Sequence, residues 1–209
     1  MILLLDAANT IIHKPSLYSK FNEAIKLHQA EVKESDFIKV HKILSELITF
    51  PDRTTKSFYF DFNKRLLEEL KIQPSDKMLE SVFDACSYLP WEKYEDTNVL
   101  SQLKVKKAVL SNFNNNLDSI LDTHFPGVFD QINCSEVQGM RKPSIEFYEN
   151  AIKNLGVKAS DILYVGDSIK LDMEPALEVG MRAYLIDRES FFPTFKHRIN
   201  SLYDLKDLL

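Results

Sequence analysis

A chain of 209 residues, 44% hydrophobic and 27% charged, has ordinary globular composition and can bury the core of one domain, or of a domain with a sizeable insertion. A net charge of −5 without any block of Lys or Arg argues against a nucleic-acid surface, yet leaves room for a small anionic ligand held by a few local cations. No apolar run approaches the length of a membrane span, and Cys86 and Cys134 lack CxxC spacing, so reduced thiols in a cytoplasmic protein are expected.

The opening "MILLL" is too short for a signal-peptide core and runs into Asp6, so it reads as a buried strand. From Ser16 to Tyr88 the chain is rich in Lys and Glu and apolar at three-to-four spacing. The stretches "LYSKFNEAIKLHQ", "SDFIKVHKILSELITF", "TKSFYFDFNKRLLEELK" and "SDKMLESVFDACSYL" each predict an amphipathic helix, with Ser35 and Ser75 as N-caps and breaks at Pro51 and Pro74. The aromatic cluster "SFYFDF" falls at helical spacing and is expected in the core of this bundle.

Short apolar runs then alternate with helical stretches. "KKAVL", "VFDQI", "DILYV" and "RAYLI" join "ILLL" as buried parallel strands. Helices are expected over "NNLDSILDTHF", "SIEFYENAIKNLG" and "MEPALEVG", the last two closed by Gly156 and Gly180. The pattern predicts an α/β fold: a doubly wound, Rossmann-like parallel sheet from residues 1–13 and 93–209, with a four-helix domain, 14–92, inserted after the first strand.

In such a sheet, ligands bind beyond the carboxyl ends of the strands. Polar residues stand at those ends: Asp6 with Thr10 after the first, Ser111 and Asn112 after "KKAVL", and Asp167 with Asp172 after "ILYV". Lys142 lies in the loop "GMRKPS". Asp6 and Asp167 can together hold a hard cation such as Mg²⁺, while Thr10, Ser111 and Lys142 can hydrogen-bond and neutralise a phosphate. Such a set suits phosphoryl transfer through a covalent aspartyl-phosphate. Taken singly, each residue has a bland reading as turn, cap or solvated surface; only their joint placement points to a site.

The motifs "VLSN", "GMRKPS" and "YVGDSIKLD", with the closing "INSLYDLKDLL", make the whole chain resemble the haloacid dehalogenase (HAD) superfamily, in the subclass with a helical cap after the first strand. The resemblance implies that Asp6 is the nucleophile and a metal ligand, and that Thr10, Ser111 and Asn112 bind the transferring group. Lys142 would orient Asp6 and offset its charge, Asp167 and Asp172 would serve Mg²⁺, and the cap would close over the site and choose a small phosphorylated or otherwise anionic metabolite. The family's first motif is typically D-x-D-x-T with Gly before Thr; here it reads Asp6-Ala7-Ala8-Asn9-Thr10. Asn9 tolerates the left-handed backbone that Gly would take. Ala8 removes the second Asp, the acid and base of family phosphatases, a loss commonly costing on the order of 10²–10⁴ in rate. It keeps a backbone carbonyl for the metal.

Three hydrolytic readings therefore follow from the resemblance: a phosphohydrolase acting on good leaving groups or borrowing His13 or Asp52, a phosphonatase-like enzyme using Lys14, Lys56 or Lys64, and a dehalogenase. Asp167 counts against the last, since the dehalogenases lack that carboxylate. A non-catalytic relative binding a phosphorylated ligand or partner protein is the reading from another class, and Asp6 counts against it. Oligomeric state is left open by the sequence.

Overall fold

In the computed structural model, which describes Met1–Leu209, β1 (Ile2–Leu5) is four apolar residues, all buried. A strand covered on both faces needs no polar alternation. The elements that follow are β2 (Ile12–His13), α1 (Leu17–Lys26), α2 (Glu34–Leu47), α3 (Lys56–Glu69), α4 (Asp76–Cys86), β3 (Glu92–Lys93), β4 (Lys106–Ser111) and α5 (Leu117–His124). After these come β5 (Gln131–Cys134), α6 (Ser135–Gln138), α7 (Ile145–Leu155), β6 (Ile162–Gly166), α8 (Glu174–Glu178), β7 (Arg182–Ile186) and β8 (Arg198–Ile199). The chain divides into two compact units, Met1–His13 with Glu92–Leu209, and Lys14–Trp91.

The first unit is an α/β fold on a six-stranded parallel sheet of order β5-β4-β1-β6-β7-β8. β1 lies at its centre, and the chain builds outward from it in both directions, which makes the carboxyl end of β1 a topological switch point. Leu5 pairs with Val109 on one side and Val165 on the other, and the Asp6 amide continues the ladder to the Val165 carbonyl at 2.9 Å. Register alone therefore sets Asp6, Ser111 and Asp167 within two residues of one sheet edge. One core cluster joins Leu4, Leu110 and Ile162 of the strands to Phe147 and Ala151 of α7 and Ala176 of α8. α7 ends at Gly156, whose φ of +67° is readily available only to glycine, as expected for a C-cap. Outside this sheet, β2 and β3 pair as an antiparallel two-stranded ribbon.

Two expectations for this unit shift at their edges. In "VFDQI" the strand itself starts only at Gln131; before it, the Asp130 amide donates to the Lys107 carbonyl at 2.8 Å while the Asp130 side chain accepts the Lys107 amide at 2.9 Å, and Phe129 packs edge-on against Phe125 at 5.5 Å. "MEPALEVG" forms only the short α8 with Pro175 in its first turn, preceded by a π turn over Ile169–Met173.

The second unit contains the four amphipathic helices α1–α4. Their apolar stripes meet in a core of Phe21, Ile25, Phe37, Phe62, Leu66 and Val82, where each buried side chain contributes about 1.5–3 kcal/mol. Phe62 lies in that core and the half-buried Phe58 and Phe60 pack against it, while Ser57 and Asp61 of "SFYFDF" are exposed. Ser75 caps α4 by accepting the Met78 amide at 3.3 Å, and Thr55 caps α3 in the same way through Phe58 at 3.2 Å. Ser35 is not a cap: α2 starts one residue earlier, with Glu34 and Asp36 in its first turn, where the helix dipole favours carboxylates. No helix is long and apolar enough to cross a membrane.

Candidate active site

The loop after β1 is a tight turn. The Ala7 carbonyl accepts the amides of Thr10, Ile11 and Ile12 at 2.9–3.2 Å, and the Asn9 amide reaches the Ile12 carbonyl at 2.7 Å. Asn9 adopts φ +60°, the left-handed conformation that Asn tolerates in place of Gly. Ala8 bridges to Ile12 within this turn.

Asp6 is buried, and its Oδ1 accepts hydrogen bonds from Lys142 Nζ at 2.6 Å and Ser111 Oγ at 3.0 Å. Thr10 Oγ1 stands 3.5 Å from Oδ2, at the limit of a hydrogen bond. Lys142, far from a solvated surface residue, is 2% exposed and also donates to Asp172 Oδ1 at 2.6 Å. One ammonium thus bridges two buried carboxylates.

Burial pushes the Asp6 carboxyl up to about 7; Lys142 pulls it down, while Asp172 and Asp167 add to the rise. Burial also works against the charge on Lys142, but Asp172 and Asp6 outweigh it and hold the ammonium well above its ordinary range. Lys142 is therefore a fixed cation, unsuited to giving up a proton.

Asp172 reaches the site because of the π turn. The Met173 amide bonds the Ser168 carbonyl at 3.1 Å, the i→i+5 pattern, and Asp172 folds back so that Oδ2 accepts the Ser168 amide at 3.0 Å. Gly166 makes room for this: a Cβ there would lie 2.3 Å from Asp172 Cγ. Tyr164 OH donates to Asp172 Oδ1 at 2.6 Å and lies 3.4 Å from Lys142 Nζ. Burial and the Asp172 charge raise the Tyr164 phenol well above its ordinary range, so it stays a donor.

The Asn112 side chain is engaged with the backbone of Lys142. Its amide nitrogen donates to the Lys142 carbonyl at 2.9 Å and its amide oxygen accepts the Lys142 N–H at 2.8 Å. That two-point clamp fixes the Lys142 backbone, so the side chain positions the cation. Tyr164 and Gly166 were missed in the sequence because one sits inside the apolar run "ILYVG" and the other reads as a turn glycine; the only available signal was their closeness to Asp167. His13 stacks on Tyr94 at 3.8 Å; Lys56 pairs with Glu80, and the Lys14 ammonium lies over Trp91 at 5.1 Å.

Oxygen atoms of Asp6, Asp167 and Asp172 lie within 4.8 Å of one another. Lys142 pairs with two of these three acidic side chains, Asp6 and Asp172. An all-oxygen set of this kind fits a hard divalent cation.

A model of the haloacid dehalogenase-like hydrolase family matches residues 1–180. Among curated proteins, the chain is 35% identical over 86 residues to a glyceraldehyde 3-phosphate phosphatase of Methanocaldococcus jannaschii, covering 39% of this chain and 38% of that one. It is 30% identical over 124 residues to haloacid dehalogenase-like hydrolase domain-containing protein 3 of Danio rerio, covering 54% and 50%. These matches span half or less of the relatives' length. Among solved structures, the HAD-hydrolase YfnB of Bacillus subtilis superposes with a TM-score of 0.70 at 16% identity, covering 100% of this chain and 97% of the other. The L-2-haloacid dehalogenase of Xanthobacter autotrophicus gives 0.66 at 18% identity, covering 99% and 97%. At those identities the superpositions speak for the fold. The family match over most of the chain identifies it as a member of the haloacid dehalogenase-like hydrolases.

Proposed function

We propose that the chain is a Mg²⁺-dependent phosphohydrolase of small phosphorylated metabolites, with Asp6 as nucleophile. The observation carrying this reading is the asymmetric seat of Asp6: Oδ1 is engaged by Lys142 and Ser111, which leaves Oδ2 as the attacking oxygen. Oδ2 attacks phosphorus, the bond from phosphorus to the leaving oxygen breaks, and the leaving group departs with the electron pair. Water then attacks the aspartyl-phosphate at phosphorus, the bond from phosphorus to Oδ2 breaks with its electron pair returning to the Asp6 carboxylate, and phosphate departs carrying the water's protons.

Lys142 holds Asp6 in its attacking orientation and offsets its charge, and Asn112 holds Lys142. Thr10 and Ser111 lie beside the two Asp6 oxygens, where their hydroxyls can donate to phosphoryl oxygens. Mg²⁺ bound by Asp6, Asp167, Asp172 and the Ala8 carbonyl would offset charge on the phosphoryl group. Asp172 and Tyr164 keep the cationic side of the site in place.

Ala8 leaves the loop without a carboxylic acid to protonate a leaving oxygen. The reading therefore selects substrates whose leaving group departs as a stable anion, such as acyl phosphates. Acetyl phosphate and p-nitrophenyl phosphate should release phosphate with Mg²⁺ and not with EDTA, whereas an alkyl phosphate should be turned over on the order of 10²-fold more slowly. Ala8→Asp should restore alkyl phosphate hydrolysis by about 10²-fold. No release from any of the three by the wild type would defeat the reading.

The phosphatase names among the curated relatives support phosphoryl transfer over dehalogenation. The acidic cluster around Asp6 supports it equally, because haloacid displacement calls for no divalent cation.

A further inference from the structure

Arg188 lies two residues beyond β7, in none of the family's motifs, yet its guanidinium is tied to the loop that follows the nucleophile. Nη1 donates to the Asn9 carbonyl at 3.2 Å and Nη2 to the Thr10 carbonyl at 2.9 Å. Nε and Nη2 also donate to the two carboxylate oxygens of Asp96 at 3.1 and 2.9 Å. The guanidinium carbon sits 3.8 Å from the centre of the Tyr94 ring, and that ring stacks on His13 at 3.8 Å. Asp96 is itself anchored, accepting the Ser201 hydroxyl at 3.2 Å and the Leu202 amide at 3.0 Å at the start of the helical turn Leu202–Asp207.

We propose that Arg188 is a positioning residue of the Asp6 site, a clamp that fixes the Asn9–Thr10 backbone and through it Thr10 and the Ala8 carbonyl. It rests on the reading of Asp6 as nucleophile. The loop curls around the Ala7 carbonyl, which takes the amides of Thr10, Ile11 and Ile12. The carbonyls of Asn9 and Thr10 are the ones Arg188 collects.

A partly exposed Arg–Asp pair by itself contributes little. Here two of the four bonds go to backbone carbonyls of the site loop, so the ion pair acts as the anchor for those contacts. The demand on the backbone is high because Ala8 has no side-chain group to offer, and whatever position 8 contributes is set by where the loop holds its carbonyl. A planar fork serves two carbonyls and a carboxylate together while stacked on an aromatic ring; an ammonium cannot.

The test compares full-length wild type, Arg188→Lys and Arg188→Ala. Hydrogen exchange at residues 7–12 should quicken by about tenfold or more in both variants, with β4 and β6 unchanged. With acetyl phosphate and Mg²⁺, kcat should fall about 10–10²-fold while KM stays within about twofold, since a displacement near 1 Å costs that much in rate. Added methylguanidinium should restore part of kcat to Arg188→Ala, which a general loss of stability would not allow. Unchanged exchange at residues 7–12 in Arg188→Lys would overturn the clamp, even if Arg188→Ala fails to fold. Raised exchange with unchanged kcat would overturn its part in the reaction. A wild type that releases no phosphate speaks against the phosphohydrolase reading instead, and the exchange comparison still decides whether the clamp exists.

Discussion

Replacing Lys142 by Met keeps most of the side-chain volume but deletes the ammonium that lies 2.6 Å from both Asp6 and Asp172. All three side chains are almost fully enclosed, at 2%, 6% and 1% exposure, so water cannot take the place of the lost cation. Replacing a whole buried ion cluster by apolar groups can be neutral. Removing one partner is different and costs about 3–5 kcal/mol, because it strands a buried charge. For a chain of this size that corresponds to a drop in Tm of about 6–20 °C. The assay is a thermal melt at pH 7.5 in EDTA of wild type, Lys142→Met, Asp6→Asn and the double variant. Because Asp6→Asn removes one stranded carboxylate, the double variant should be more stable than the sum of the two single losses by about 0.5–3 kcal/mol. A Lys142→Met melt equal to wild type, or strictly additive losses, would refute the shared-cation picture.

Gly166→Ala places a Cβ 2.3 Å from Asp172 Cγ, so the Asp172 side chain must move; calorimetry should show a loss of about 1–3 kcal/mol and weaker Mg²⁺ binding, and unchanged values would contradict the packing. Burial beside the Phe37 and Phe62 rings, with Lys42 nearby, pushes the His41 imidazole down to about 4 from 6.5. A lowered histidine pKa gives stability that is full above pH 6.5 and is lost as pH falls towards 4. His41→Gln should therefore flatten the decline in denaturant midpoint between pH 6.5 and 4.5 relative to wild type; parallel curves would show that His41 is not the cause.

The helices of Lys14–Trp91 were legible because their apolar spacing is the physical cause of their packing, as Phe21, Ile25, Leu66 and Val82 show. Asp6, Ser111, Lys142 and Asp172 could be named as a set because parallel strands bring their carboxyl ends to one edge. What stayed hidden depends on side-chain reach. Nothing local marks Asn112 as the holder of the Lys142 backbone, since its partner is 30 residues away. Tyr164 looks like one more apolar strand residue until its hydroxyl meets Asp172. The contribution of Gly166 is empty volume, which depends on a π turn that periodicity does not foretell. Arg188 lies 178 residues from the Thr10 carbonyl it binds, and only the order of the strands brings them together.

The central claim, that Asp6 forms a covalent bond to phosphorus, is tested most directly by phosphate release from acetyl phosphate in Mg²⁺, wild type against Asp6→Asn. The account predicts that the variant folds, as judged by its melt, and loses activity by on the order of 10³-fold or more. Equal rates in a folded Asp6→Asn would contradict it.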